Sequence, residues 1–190
     1  MTNRANNIWM TIGSLCLQMV PVVLGVFLAM WLNDYKVRES DRRFIASMLE
    51  SINAENGLNA QQIEGLLDKQ KRTCDSLEFY QNDSKVALVH VISKVNGLST
   101  PDLNETSLNL LQASPITLIS FDLLTKLSEI DANHENYNYN QRVLSNYYYV
   151  NTTNSEKEVK LTLSYMLADI IYYEEQILMR YQELDSLLSR

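Results

Sequence analysis

The residues best suited to acid–base or metal chemistry are the two histidines of this 190-residue chain, one of which lies among carboxylates. His134 stands between Asp131 and Glu135, a set that could offer one nitrogen and two carboxylates to a metal ion. The spacing lacks the two-histidine helical pattern of zinc hydrolases, so we interpret this stretch as a solvated polar loop. His90 lies on an apolar stretch and is interpreted as a hydrogen-bonded core histidine.

Signatures of nucleophilic catalysis and of phosphate binding are missing from the sequence. Cys74 has no partner cysteine outside the apolar N-terminal stretch. No serine stands in a hydrolase-like arrangement with His and Asp, and no glycine-rich loop could hold a phosphate. The sequence therefore predicts a protein that is not an enzyme, uses no metal or other cofactor and takes no small-molecule substrate. The net charge of -7 and the absence of a basic run disfavour nucleic acid as a partner.

Tyrosine is unevenly distributed, because nine of the 11 tyrosines lie between positions 137 and 181. A tyrosine ring buries apolar area while its hydroxyl stays polar, which suits protein interfaces. Successive residues of a helix are rotated by about 100°, so three adjacent rings cannot all face the core. We expect the densest positions to bind a partner, and the alternative is that their rings fill a helical core. These positions are Tyr147, Tyr148, Tyr149, Tyr172 and Tyr173.

Residues 8–32 contain no Asp, Glu, Lys or Arg and predict a membrane-spanning helix. A helix of this length extends about 37 Å, whereas about 20 residues suffice to cross the hydrocarbon core. The weakly basic tail of residues 1–7 and the length of the apolar stretch indicate an uncleaved signal anchor. Tryptophans at its ends suit the membrane interface, and its Pro and Gly residues mark a kink or a packing surface. The positions concerned are Trp9, Gly13, Pro21, Gly25 and Trp31.

The first helix after the span is predicted from a heptad-like spacing of apolar residues over positions 45–77. Asn56, Asn59 and Gln70 interrupt this seam with polar side chains. Such residues weaken a seam but can fix its register or pair with another polar layer. We interpret the helix as one member of a bundle, and the alternative is a long dimeric coiled coil.

Shorter elements are predicted in the middle of the chain. Residues 85–95 form a short helix or a strand, because their apolar pattern fits both. Thr100 and Pro101 fit an N-cap and the first position of a helix that ends near Gln112. Residues 131–140 are rich in Asn and Tyr and predict a polar break between helices.

The C-terminal helix has the clearest local signature. Ser155 and Glu158 fit a capping box. Apolar residues then follow at spacings of three and four over positions 159–188, with Met166 and Tyr173 among the inward positions. This helix could pair antiparallel with the first soluble helix.

Five segments carry a loose pattern that extends over most of the chain. They are the apolar run and its Trp-Leu-Asn end at 22–35, the charged helix segment at 42–51, Asp-Ser-Leu at 75–77, and residues 120–128 and 143–149. On these segments the chain resembles a family of small single-pass membrane proteins of unknown function that is common in Bacteroidota. The resemblance implies a cytoplasmic N-terminus, a helical periplasmic domain and no known enzyme activity.

The charges that flank the span give a different orientation from the one that the resemblance implies. More basic residues follow the span than precede it, which predicts a cytoplasmic C-terminal side. We favour the periplasmic side, because the short N-terminal tail is easily retained and acidic residues interleave with the basic ones. The basic residues are Arg4 before the span and Lys36, Arg38, Arg42 and Arg43 after it.

We therefore predict an all-α fold in which one transmembrane helix continues into a helical bundle with long antiparallel first and last helices. The tail covers residues 1–7, the span 8–32 and the helical extramembrane domain 33–190. The expected function is that of a non-enzymatic anchor, scaffold or accessory subunit of an envelope membrane protein complex in a bacterial inner membrane. The expected partners are the lipid bilayer, other membrane proteins and a second copy of the chain. The alternative is a membrane-anchored sensory or regulatory module that binds a small ligand in its bundle.

Overall fold

The computed structural model describes the backbone of residues 3–112 and 119–189, and the side chains of residues 19–111 and 119–189. Within these ranges the fold is all-α, as predicted, with five helices and no strand. The helices are α1 (Asn3–Phe79), α2 (Leu88–Lys94), α3 (Thr106–Gln112), α4 (Phe121–Asn151) and α5 (Lys157–Leu188). The chain divides into two compact units, Met1–Ala46 and Ser47–Arg190.

The first unit consists of the N-terminal part of α1, and its apolar side chains are exposed. Every residue from 19 to 32 is exposed, and the large hydrophobic ones range from 49% at Leu32 to 72% at Phe27. Trp31 stacks on Tyr35 with 6.2 Å between the ring centroids, at the end of the apolar run. Among the described residues, this helix is the one that is long and apolar enough to span a membrane.

The predicted irregular positions of the span fall within this helix. Pro21 lies inside α1 without ending it. A Cβ placed on Gly25 would meet nothing within 4 Å, so this position offers an open surface. Trp9 and Gly13 belong to α1, but their side chains lie outside the described residues.

The second unit is a bundle in which α5 runs antiparallel to both α1 and α4. Hydrogen bonds join Asn59 to Tyr181 and Gln70 to Glu174, so the numbering falls along α5 as it rises along α1. The turn of residues 152–156 reverses the chain between α4 and α5. Because α1 and α4 both oppose α5, they run parallel to each other. A parallel pair requires a connection that travels back along the bundle.

The interior of the bundle is lined by the apolar seams of these helices. Burying a Leu or Ile side chain fully contributes about 2 kcal/mol relative to exposure, and this seam is the main source of stability. Fully buried members include Ile63 and Leu77 of α1, Leu144 of α4, and Leu163, Leu167, Ile170 and Ile177 of α5.

An irregular segment, residues 98–105, makes the return connection and is called the strap below. Asn96 (φ 61°) and Gly97 (φ 89°) turn the chain out of α2 through the left-handed region, which glycine adopts without strain. The strap then runs against α1, from Ser99 beside Gln70 to Asn104 beside Asn59. Eleven helical steps and five extended steps both cover about 16 Å, so an extended strap matches the helix.

The predicted helix start at Thr100 and Pro101 is therefore wrong, because α3 begins only at Thr106. The Pro101 carbonyl accepts hydrogen bonds from two side chains of α4 and is not used in a helix. Side-chain partners at a distance outweigh the local preference of a Thr-Pro pair for a helix N-terminus.

The predicted polar break at residues 131–140 is also wrong, since α4 continues through it without interruption. Its polar residues form the face of α4 that holds the strap, where His134 and Tyr137 are buried. A polar helix face in a bundle interior is stable when its groups find hydrogen-bond partners.

The predicted capping box at the start of α5 does not form. The N-cap of α5 is Glu156, whose side chain makes no capping hydrogen bond, so Ser155 lies one residue too early. Instead the side chain of Asn154 accepts a hydrogen bond from the Glu156 backbone N–H at 2.8 Å. This Asx turn completes the tight corner that follows α4.

Candidate functional site

Side chains of α1 hold the strap from one side. The Asn59 amide donates to the Asn104 carbonyl oxygen at 2.8 Å, and its Oδ1 accepts from the Asn104 N–H at 2.9 Å. Gln70 Nε2 donates to the Ser99 carbonyl oxygen at 3.3 Å. The polar interruptions of the predicted α1 seam at Asn59 and Gln70 thus satisfy the backbone of a half-buried connection.

Side chains of α4 hold the strap from the other side. The Tyr137 hydroxyl donates to the Pro101 carbonyl oxygen at 2.6 Å, and Gln141 donates to the Thr100 hydroxyl at 2.9 Å. Nearer α3, Asn138 donates to the Glu105 carboxylate at 2.7 Å. The strap is therefore fixed by side-chain hydrogen bonds in place of a sheet or helix ladder.

Glu105, His134 and Tyr181 form a buried polar chain with Asn59. The Asn104 N–H can only donate, so it fixes Oδ1 of Asn59 and leaves Nδ2 to donate to the Tyr181 oxygen at 3.1 Å. The Tyr181 hydrogen then goes to His134 Nε2, 2.6 Å away. This leaves the His134 hydrogen on Nδ1, which lies 3.1 Å from Glu105 Oε1 but outside hydrogen-bond alignment.

The environment of His134 corrects both predictions about the histidines. His134 is 1% exposed and sits inside α4, whereas the sequence predicted a solvated loop. His90 is exposed, because α2 turns Leu88, Val91 and Ile92 inward, so the predicted core histidine was the wrong one. Among the described residues no group of three His, Cys, Asp or Glu side chains could hold a metal ion.

Burial lowers the pKa of His134, and the nearby carboxylate of Glu105 opposes this shift. The neutral ring is favoured because the desolvation free energy of a charged imidazolium exceeds its attraction to the nearby carboxylates. A hydrogen bond from Tyr181 to Nε2 also favours the neutral ring, since a protonated Nε2 could not accept it. This chain of polar side chains can therefore bind a proton at His134, but the buried phenol of Tyr181 is not activated as a nucleophile.

Replacing Tyr181 with Phe is expected to raise the pKa of His134 and to lower the free energy of unfolding by about 1–2 kcal/mol. The variant removes the donor to Nε2, which the neutral ring needs and the charged ring does not. NMR titration of the imidazole resonances measures the pKa, and urea denaturation in mild detergent measures the stability.

The matched control for this variant is Tyr139→Phe, because Tyr139 is an exposed tyrosine of α4. We expect the control to change neither quantity. An unchanged His134 pKa in Tyr181→Phe would show that Tyr181 does not donate to the ring.

A second polar layer lies between α1 and α5 at the other end of the strap. Glu174 is fully buried, and its Oε1 accepts from Gln70 Nε2 at 2.8 Å. Burial raises the pKa of Glu174 to about 7. Among the described residues, Glu174 Oε2 and Gln70 Oε1 have no hydrogen-bond partner, so the layer has more acceptors than donors. A proton on Glu174 supplies one of the missing donors.

A surface groove of about 310 Å³ runs between α1 and α5 beside the first polar layer. Its lining includes the buried residues Asn56 and Tyr181 and the acidic residues Glu64 and Asp185. Asn56 is 6% exposed, and its Nδ2 has no partner among the described residues. The groove therefore combines carboxylates with an unused buried donor.

The five predicted partner-binding tyrosines differ in exposure. Tyr149 is 74% exposed and Tyr172 is 57% exposed. Tyr147, Tyr148 and Tyr173 are half-buried and pack against the core. The exposed pair presents most of its ring area to solvent, while the other three pack against the core.

Sequence reasoning missed Glu174, Glu105 and the strap. The only signal for them was the polar interruption of the α1 seam, which required partners elsewhere. At one turn of α5, Tyr173 and Glu174 fit the helical spacing equally well, and hydrophobicity favoured Tyr173. The structure buries Glu174 and leaves Tyr173 half-buried.

Comparisons with known proteins found no relative of this chain. No family model, no curated protein and no solved structure matches the chain, so its resemblance to the Bacteroidota family stays a prediction.

Proposed function

We propose that this protein is a single-pass protein of a bacterial inner membrane and that its helical domain is a periplasmic interaction module. In this proposal the protein is an anchor, scaffold or accessory subunit of an envelope membrane protein complex and catalyses no reaction. The observation that carries it is the exposed apolar run of residues 19–32. So large a continuous apolar surface needs lipid or protein around it.

The aromatic residues at the end of the run support a bilayer as the surroundings. Trp31 and Tyr35 stack where the apolar run ends, and Asp34, the first charged residue after the run, lies between them in the sequence. Amphipathic rings at this position suit the lipid headgroup level. Retention of the protein in membranes after alkaline carbonate washing tests the span. A phosphatase fused to the C-terminus, active only in the periplasm, tests the orientation.

The exposed tyrosines support a protein partner for the bundle. Tyr149 and Tyr172 present large rings to solvent, and aromatic side chains at the centre of an interface carry much of the binding energy. The proposed occupant of this surface is the extramembrane part of another protein of the same membrane.

The double variant Tyr149→Ala, Tyr172→Ala is expected to lose about tenfold or more of the membrane proteins that accompany the wild type. The measurement is gentle detergent extraction of the tagged protein followed by quantitative mass spectrometry. Tyr139→Ala, also exposed but outside the predicted set, is the matched control. Equal recovery of partners by the double variant and the wild type would contradict the tyrosine surface.

A ligand-binding regulatory module is the second candidate, and the groove beside Asn56 favours it. Its carboxylates suit an amine, and the unused Asn56 donor suits an acceptor, so a small zwitterion fits both. A panel of amino acids tested by thermal shift separates the candidates. Stabilisation by one member, lost in Asn56→Ala, would favour the regulatory module.

A further inference from the structure

The Ser99 end of the strap is joined to a titratable side chain by one amide. Gln70 Nε2 donates both to the Ser99 carbonyl oxygen and to the Glu174 carboxylate. Lys69 adds a second contact, from its ammonium to the Ser99 hydroxyl at 2.6 Å. A change in the charge of Glu174 therefore reaches the strap through a single shared side chain.

The Asn104 end is joined to a titratable side chain in the same way. Asn59 Nδ2 donates both to the Asn104 carbonyl oxygen and to Tyr181, whose hydroxyl contacts His134. Glu105 of the strap itself lies beside the other nitrogen of His134. Both ends of this half-buried connection thus depend on ionisable groups.

We propose that the strap is a proton-controlled latch whose two ends respond to pH in opposite directions. Acidification loosens the Asn104 end and tightens the Ser99 end, and a rise in pH does the reverse. The inference goes beyond the proposed interaction module, because it holds whatever the bundle binds.

The direction at the Ser99 end follows from what surrounds Glu174. Gln70 of α1 and the neutral phenol of Tyr137 on α4, whose pKa is raised by burial, face it, and Glu175 is its neighbour on α5. Among the described residues, Glu174 makes no ion pair with a Lys or Arg side chain. Because the closed layer prefers the protonated carboxyl, opening releases a proton, and a rise in pH favours opening by about tenfold per unit between pH 4.5 and about 7.

The direction at the Asn104 end follows from what surrounds His134. Glu105 of the strap, Glu55 of α1, Tyr181 of α5 and Asp131 of α4 face the ring. A proton on Nε2 would turn a donor towards a phenol oxygen that already accepts from Asn59. Because burial keeps the ring neutral when closed, opening takes up a proton, and acidification favours opening.

Two thiol reporters measure the two ends separately in the full chain. Leu98→Cys marks the Ser99 end, and Leu103→Cys marks the Asn104 end, because both leucines are half-buried against the core. Each is placed in a background that lacks Cys16 and Cys74 and is labelled with a disulfide reagent in mild detergent. At each pH, the labelling rate is divided by the labelling rate of the same chain unfolded in urea. This ratio measures local opening, because the pH dependence of thiol ionisation cancels.

Between about pH 5.5 and 7, we expect the first reporter to label about tenfold faster and the second to label more slowly. Glu174→Gln should abolish the response of the first reporter alone, and His134→Gln that of the second alone. The controls Glu175→Gln and His90→Gln, at exposed positions, should keep both responses.

Responses in the same direction at both ends, or responses that survive both variants, would overturn the latch. If His134→Gln does not fold, Glu105→Gln serves in its place, because removing a carboxylate that raises the closed-state pKa of His134 extends the acid response to lower pH. An acid response that levels off at the same pH in Glu105→Gln and in the wild type would equally overturn the latch.

Discussion

Glu174→Gln is expected to stabilise the bundle by about 3 kcal/mol near pH 8 and to change little near pH 4. Burial raises the pKa of Glu174 from 4.5 to about 7. Between these values the folded chain binds a proton that the unfolded chain releases, so this carboxyl makes stability fall as pH rises. Its full penalty is present above the folded pKa, and a neutral amide of the same shape removes it.

The new amide also suits the hydrogen bonds of the layer. Gln70 Oε1 and Glu174 Oε2 both lack a donor, and the NH₂ group of a glutamine at 174 would provide one. Urea denaturation at several pH values measures the difference between variant and wild type. Glu175→Gln is the matched control, because Glu175 is the next residue, is exposed, and makes only a surface ion pair with Lys71.

A constant difference between Glu174→Gln and the wild type at all pH values would contradict this account. It would show that the amide acts through packing and that the carboxyl is already solvated. Destabilisation near pH 8 would show that the charged carboxylate has a partner, which the geometry of the layer does not provide.

The fold class could be predicted from the sequence because it rests on local patterns. The uncharged run of residues 8–32 and the apolar spacing of residues 45–77 and 159–188 each repeat over many turns. Such repeats specify a helix and most of its buried face from the local sequence alone. Both long helices and their antiparallel packing were predicted from them.

The strap could not be predicted, because its conformation depends on distant side chains. Asn59 lies 45 residues from Asn104, and Tyr181 lies 47 residues from His134. No local pattern records these pairs, and the local signals at Thr100 and Pro101 favoured a helix instead. The polar face of α4 was mistaken for a loop for the same reason, since its partners belong to the strap.

Polar residues in a bundle seam can therefore fix the register of a coiled coil or hold a half-buried connection, and only the topology distinguishes these two roles. In a coiled coil, Asn56, Asn59 and Gln70 would fix the register between two helices. Here the parallel course of α1 and α4 requires a return connection, and Asn59 and Gln70 hold it. The same amides would be a cost without the strap, because buried amides need partners.

Replacing Asn59 with Ala is expected to have the largest effect of any substitution at the strap, a loss of about 4 kcal/mol in the free energy of unfolding. Asn59 is fully buried and makes three hydrogen bonds. Its loss removes the hydrogen bonds to the N–H and C=O of Asn104 and to the buried Tyr181 hydroxyl, and each group left unsatisfied costs about 1–3 kcal/mol. The cavity left by the missing amide adds to this loss.

The size of the Asn59→Ala effect distinguishes a structural strap from a connection that merely lies against the bundle. Asn53→Ala, six residues earlier on α1, is the matched control, because exposed Asn53 makes a single 3.5 Å side-chain contact, with Asp185, among the described residues. We expect it to cost less than about 0.5 kcal/mol. Urea denaturation in mild detergent measures both. A cost below about 1 kcal/mol for Asn59→Ala would mean that water satisfies the Asn104 backbone, and the strap would then not hold α1 and α4 together.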